Sequence, residues 1–125
     1  MLVSWPLPWP DTKLSPNQRQ HWTKLAKAKK AYRQSCYLRT LEQISIWKGK
    51  LPEGDLVLTL TFVPPDKRKR DVDNLLARMK AGLDGVAEAL GIDDSRFVQI
   101  RLEIESPARP AYVQITITGK DDESL

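Results

Sequence analysis

From residue 56 to residue 63 the chain alternates Leu56, Leu58, Leu60 and Phe62 with Val57, Thr59, Thr61 and Val63, and Pro64-Pro65 then stops the run. Period-two alternation predicts a strand, and apolar character on both faces predicts a central one covered on both sides. Two further alternations follow. Val98, Ile100, Leu102 and Ile104 interleave with Gln99, Arg101, Glu103 and Glu105, while Val113, Ile115 and Ile117 interleave with Tyr112, Gln114, Thr116 and Thr118. The short turn around Pro107–Pro110 favours pairing these two as an antiparallel hairpin. At the other end, Leu2–Trp5 predicts an edge strand closed by Pro6-Leu7-Pro8-Trp9-Pro10, with Trp5 and Trp9 packed on the body.

Two stretches carry the helical period. Ser15-Pro16-Asn17-Gln18 has the form of a capping box, and a helix starting there or near His21 runs to about Ile46 without an internal glycine or proline. Trp22, Leu25, Tyr32, Cys36 and Leu41 are its expected apolar contacts. In the second, Leu75, Leu76, Met79, Leu83, Val86, Ala87 and Leu90 form a stripe roughly 120° wide on Asn74–Leu90. Asp73 is placed to cap its start and Gly91 its end. Asp73, Lys80 and Asp84 fall within about 40° of one another on a neighbouring polar face. The order β-α-β-α-β-β predicts one small α+β domain over residues 1–120, a mixed sheet with two main helices, and a disordered acidic tail over 121–125.

Composition narrows the function classes. A chain of 125 residues with 41% hydrophobic and 29% charged positions suits one globular domain. The single cysteine, Cys36, excludes an intrachain disulfide and a multi-cysteine zinc site. No apolar run approaches a membrane span and the N-terminus lacks a secretory pattern, so a cytoplasmic location away from membranes is expected. The formal charge of +4 is concentrated in Lys24–Arg39 and Lys67–Arg70, a distribution that suits a polyanionic partner. A solvated helix face explains the first cluster equally well.

The chemistry gathers in Pro65-Asp66-Lys67-Arg68-Lys69-Arg70-Asp71-Val72-Asp73-Asn74, with Asp93-Asp94 about twenty residues on. In an extended segment Asp71 and Asp73 project to one side, where their repulsion is relieved by Mg²⁺ or Mn²⁺. Asp94 completes the set, and Lys80 stands one face over to stabilise developing negative charge. Cations that hold a phosphodiester beside carboxylates that hold a metal describe a nuclease. D-x-D is common by itself, and one of the aspartates is needed as a cap. His21, the only histidine, sits beside Trp22 and reads as a packing or hydrogen-bonding residue, and Cys36 as a small core residue.

The segment Pro65–Leu75, with Leu83-Asp84-Gly85-Val86, Gly91-Ile92-Asp93-Asp94, Leu7-Pro8-Trp9-Pro10 and Ser15-Pro16-Asn17, resembles the RusA-type Holliday junction resolvases of bacteria and their prophages. The resemblance implies a homodimeric endodeoxyribonuclease that binds four-way junction DNA and nicks opposing strands symmetrically in recombination and repair. It further implies Mg²⁺, with Mn²⁺ as a possible substitute, no other small-molecule cofactor, and in-line attack of water that leaves a 5′-phosphate. The essential carboxylates map onto Asp71, Asp73 and Asp94, as metal ligands and catalytic residues. Counting forward from Asp73, the family's lysine position falls near Ala77; counting back from Leu83-Asp84, it falls on Lys80, which implies one extra helical turn and is preferred. Asp93 and Asp84 are auxiliary candidates. Lys67, Arg68, Lys69 and Arg70, with Lys24, Lys27 and Lys30 of the first helix and Asn17 and Arg19 before it, are the DNA-binding candidates. Competing readings are a non-catalytic junction- or DNA-binding protein that keeps the fold, a less selective phage nuclease, and a purely structural domain.

Overall fold

Strand β2 (Leu56–Val63) lies inside a four-stranded sheet of order β1-β4-β2-β3, in a computed structural model that describes residues 2–15, 21–47 and 49–123, with side chains to residue 121. The other strands are β1 (Leu2–Pro8), β3 (Phe97–Ile104) and β4 (Tyr112–Gly119). Helices α1 (Trp22–Ile46) and α2 (Val72–Leu90) cover one face, and a last turn, α3 (Lys120–Glu123), closes the chain. The architecture is the α+β domain with a mixed sheet, in the order the periodicities predict. Leu56, Leu58, Leu60 and Phe62 are fully buried, and so is Val57 on the opposite face, in keeping with a central strand. No helix among the described residues is long and apolar enough to cross a membrane.

The strand pairing differs from the expected hairpin. β3 pairs parallel to β2, as the second strand of a β2-α2-β3 crossover, and β4 inserts antiparallel between β2 and β1. Residues 105–111 carry the chain across the end of β2, a step of two strand spacings or roughly 10 Å, which seven residues span easily. Glu105 N–H donates to Phe62 O at 2.9 Å and Ala108 N–H to Pro64 O at 3.0 Å, so the link is pinned over β2 on its way. Loop length alone did not exclude this path.

Other boundaries moved for identifiable reasons. β1 continues through Pro6 to Pro8 because it is an edge strand bonded only to β4, where a missing N–H is tolerated. α1 begins at Trp22, with His21 as its N-cap: Nδ1 accepts from Thr23 N–H at 3.3 Å. Residues 16–20, and with them Asn17 and Arg19, lie outside the described residues. Tyr32, Cys36 and Thr40 form the buried row of α1, whereas Trp22 is 71% exposed and Leu41 38%, so those two do not serve the core. Trp22 instead stacks on the His21 ring at 5.6 Å. Of the acidic tail expected to be disordered over 121–125, residues 121–123 belong to α3, which Lys120 N–H ties to Asp55 O at 2.9 Å, and 124–125 lie outside the described residues.

The two helices cross in close contact because α2 offers two glycines there. A Cβ on Gly82 would come within 2.5 Å of the Tyr32 ring, and one on Gly85 would strike the Arg33 carbonyl oxygen of α1. The crossing is tied to the sheet by Tyr32 Oη–H donating to Pro8 O at 2.7 Å and by Trp5 Nε1–H donating to Thr40 Oγ1 at 3.2 Å. Arg33 and Glu88 add an ion pair at 2.7 Å across its exposed rim. This rigid pair fixes where the polar face of α2 points.

Candidate functional site

Asp71 caps α2, and Asp73 lies inside its first turn. Asp71 has extended backbone angles, and its Oδ1 accepts from Asp73 N–H at 3.0 Å. The expected roles are therefore exchanged, and the extended D-x-D geometry with both carboxylates on one side does not occur. A carboxylate at Asp71 satisfies one of the helix's orphan donors, and Asp73 adds a favourable charge near the positive end of the helix dipole. Asn74 is also committed: Ser15 Oγ–H donates to its Oδ1 at 2.7 Å, fastening the 3-10 turn Thr12–Leu14 to α2.

The basic run ahead of the cap is a braced loop. Arg70 donates to Asp66 Oδ1 at 2.9 Å, to Asp66 O at 3.1 Å and to Arg68 O at 3.0 Å, and its guanidinium lies 5.5 Å over the Trp9 ring. Arg70 is thus spent on holding the loop, while Lys67, Arg68 and Lys69 are exposed. The Arg68 backbone N–H, together with Arg70, holds the Asp66 carboxyl below its usual range. The N-terminal Trp9 finds its place here, edge-on to Phe62 at 6.1 Å.

At the far end of α2, Gly91 closes the helix in the left-handed conformation at φ 70°, a position that costs glycine little. A 3-10 turn, Asp94–Arg96, then leads into β3. Asp93 caps it by accepting from Ser95 N–H at 2.8 Å, and that hydrogen bond lowers the Asp93 pKa. Arg96 anchors the turn by donating to Gly54 O at 2.9 Å and Pro52 O at 2.5 Å. Both aspartates are exposed; Asp93 is a local brace, and Asp94 is the one whose side chain is not used in the cap.

Between α2 and the β2–β3 edge runs a groove of about 510 Å³. Leu58, Phe97 and Ile100 form its floor, Leu76 and Leu83 its wall, and Asp73, Lys80, Asp84 and Asp94 its charged lining. The structure thus brings together Asp73, Lys80 and Asp94 of the sequence-derived set, and Asp84 with them. Asp71 does not line the groove. The rise from Asp73 to Asp84 is roughly 16 Å along the helix, so the acids are distributed along the groove. Among the described residues no three of His, Cys, Asp and Glu gather as a metal-holding cluster. Exposed carboxylate oxygens remain the donor type that suits Mg²⁺, which is commonly held by one or two carboxylates with waters and substrate phosphates completing its shell.

The lysines of α1 divide by helical phase. Lys24, Lys27 and Lys30 are exposed and line none of the cavities described, whereas Lys29 lines a second cavity beside the groove together with Arg78 of α2. Lys29 belongs to the Lys24–Arg39 cluster without being singled out from it, and Arg78 did not stand out in the sequence. The available signal was phase: Lys29 falls within roughly 60° of Leu25, Tyr32 and Cys36 on the helix wheel, the side that meets α2.

No family model matches the chain. Over 115 residues, 90% of the chain and 74% of the relative's length, it is 47% identical to an uncharacterized protein of Xylella fastidiosa. The chain belongs to that protein's family.

Proposed function

We propose that the protein is a Mg²⁺-dependent endodeoxyribonuclease of the RusA type that cuts four-way junction DNA as a homodimer. The observation that carries the reading is the groove, where Asp73, Lys80 and Asp94, three of the four residues singled out by the resemblance, line one cavity. They come from the helix and from the turn entering β3, so the β2-α2-β3 crossover builds the site.

In this reading Asp73 and Asp94 would hold the metal from the groove lining, and Asp71 would join them from the α2 cap, outside that lining, once a phosphate shares the ion. When bound, the ion supplies charge neutralisation and polarisation of the phosphoryl oxygens. Lys80 donates to a non-bridging oxygen and offsets charge that grows in the transition state. Asp84, one turn further along α2, lies on the same polar line as Lys80 and would face the surroundings of the same phosphate group. The apolar floor of Leu58, Phe97 and Ile100 gives the bound phosphate a low-dielectric wall on one side. Lys67, Arg68 and Lys69 draw in the DNA backbone. The homodimer has a candidate surface on edge strand β3, where Val98 and Ile104 are 46–50% exposed.

The test is incubation of a synthetic four-way junction, a matched duplex and a flap with Mg²⁺ and with chelator. Paired nicks confined to the junction and lost with chelator are the expected result. Equal cutting of all three substrates would replace junction resolution with a general nuclease, and tight binding without cutting in any divalent metal would replace it with a binding protein.

A further inference from the structure

Lys80 and Asp84 form a ridge with a cavity on each side. The first is the groove. The second, of about 560 Å³, opens between the N-terminal half of α1 and the middle of α2; Leu14 and Leu25 supply its apolar side, and Lys29, Arg78, Lys80 and Asp84 its charges. Three cations against one carboxylate leave the second cavity with a net charge of +2. Arg78 is only 9% exposed, and among the described residues its Nε has no hydrogen-bond partner. Burial and the nearby Arg70 both disfavour its charged form, and Asp11 offsets them only in part. A buried guanidinium with incomplete hydrogen bonding is unfavourable in the free protein and becomes favourable once an anion arrives. Its planar fork, beside two lysines, matches the oxygens of a phosphate better than those of a neutral ligand.

We infer that this cavity is a second phosphate site, in which Lys29, Arg78 and Lys80 hold a phosphodiester of the same strand whose neighbouring phosphate lies in the groove. The assignment rests on the nuclease reading, because the shared wall of Ala77, Lys80 and Asp84 is what makes one strand across the ridge occupy both cavities. The ridge would then fix the register of the strand, so that binding on the α1 side aligns the phosphate on the β3 side.

The guanidinium Nε–H resonance of Arg78 in a ¹⁵N–¹H spectrum reports the site directly, and is assigned by its loss in Arg78→Met. Titration with dimethyl phosphate should shift it saturably, and Lys29→Gln should weaken that response about tenfold. Lys29→Gln should also weaken junction binding and lower the slope of log affinity against log salt by about one. Lys29 is exposed on α1, so this variant answers even where Arg78→Met folds poorly. An Arg78 signal unmoved by dimethyl phosphate and by DNA overturns the site, as does Lys29→Gln binding and cutting DNA with unchanged affinity and salt slope. A response to inorganic phosphate alone overturns it too. A response to dimethyl phosphate with no binding or cutting of nucleic acid leaves the phosphodiester site standing and removes the nuclease reading.

Discussion

In the proposed reading Asp71 serves structure and chemistry together. Its Oδ1 accepts the Asp73 N–H, a cap whose removal costs about 1 kcal/mol, and asparagine accepts the same bond almost as well. Asp71→Asn should therefore keep its denaturation midpoint while Asp71→Ala loses about 1 kcal/mol, and both should lose metal-dependent cutting. Equal cutting by Asp71→Asn and the parent protein would confine Asp71 to the cap. Cys36 is a purely structural counterpart: burial pushes its thiol up from 9.0 to about 11, and burial raises the Tyr32 phenol as well. Both groups are neutral in the folded state at pH 7, and unfolding lets each ionise nearer its ordinary value. The Cys36 contribution is complete below pH 9.0 and is lost as pH climbs toward 11, while that of Tyr32 starts to fall only above its ordinary 10.0, so urea midpoints should fall from pH 9.0 upward. A flat profile there would contradict their burial.

At the scale of elements, the helix crossing governs the site because it sets the rotation of α2 above the sheet. Gly85→Ala would place a methyl group against the backbone of α1, which cannot yield as a side chain can. The expected cost is about 1–3 kcal/mol or more in a chemical denaturation series, and an unchanged midpoint would mean the helices do not cross this closely. The elements themselves were legible from periodicity: β2, α2 and β4 fall where the alternation and the 3.6-residue stripe put them. Their pairing was not, because a seven-residue link is as compatible with a step over β2 as with a hairpin. In the same way, the polar line of Asp73, Lys80 and Asp84 was readable from helical phase. The exchange of roles between Asp71 and Asp73 was not, since either residue is a good cap and only the local backbone decides.

For the whole molecule, charge placement matters more than the net charge of +4. The sequence marked Lys67–Arg70 as one cationic unit, yet the loop divides it: Arg70 braces Asp66 and Trp9, and Lys67 and Lys69 stay exposed. Lys67→Gln with Lys69→Gln should weaken DNA binding and lower its salt slope by about two, one per phosphate contact, with stability unchanged. Arg70→Gln should act chiefly on stability, by releasing the loop. The opposite division, with affinity following Arg70 and ignoring the lysines, would reverse these roles. Lys29 was not singled out from its cluster, nor Arg78 from its helix, for a related reason: linear clusters are visible in a sequence, whereas a cationic cavity assembled from two helices appears only once they pack.

The most direct measurement is single-turnover cleavage of a four-way junction in Mg²⁺ by the parent protein and by Asp94→Asn, with junction affinity measured on the same samples. Asp94 lines the groove and caps nothing, so its amide should leave folding and binding intact while slowing cutting by on the order of 10²-fold or more. Cleavage by Asp94→Asn at the parent rate would contradict a site built from the carboxylates of this groove.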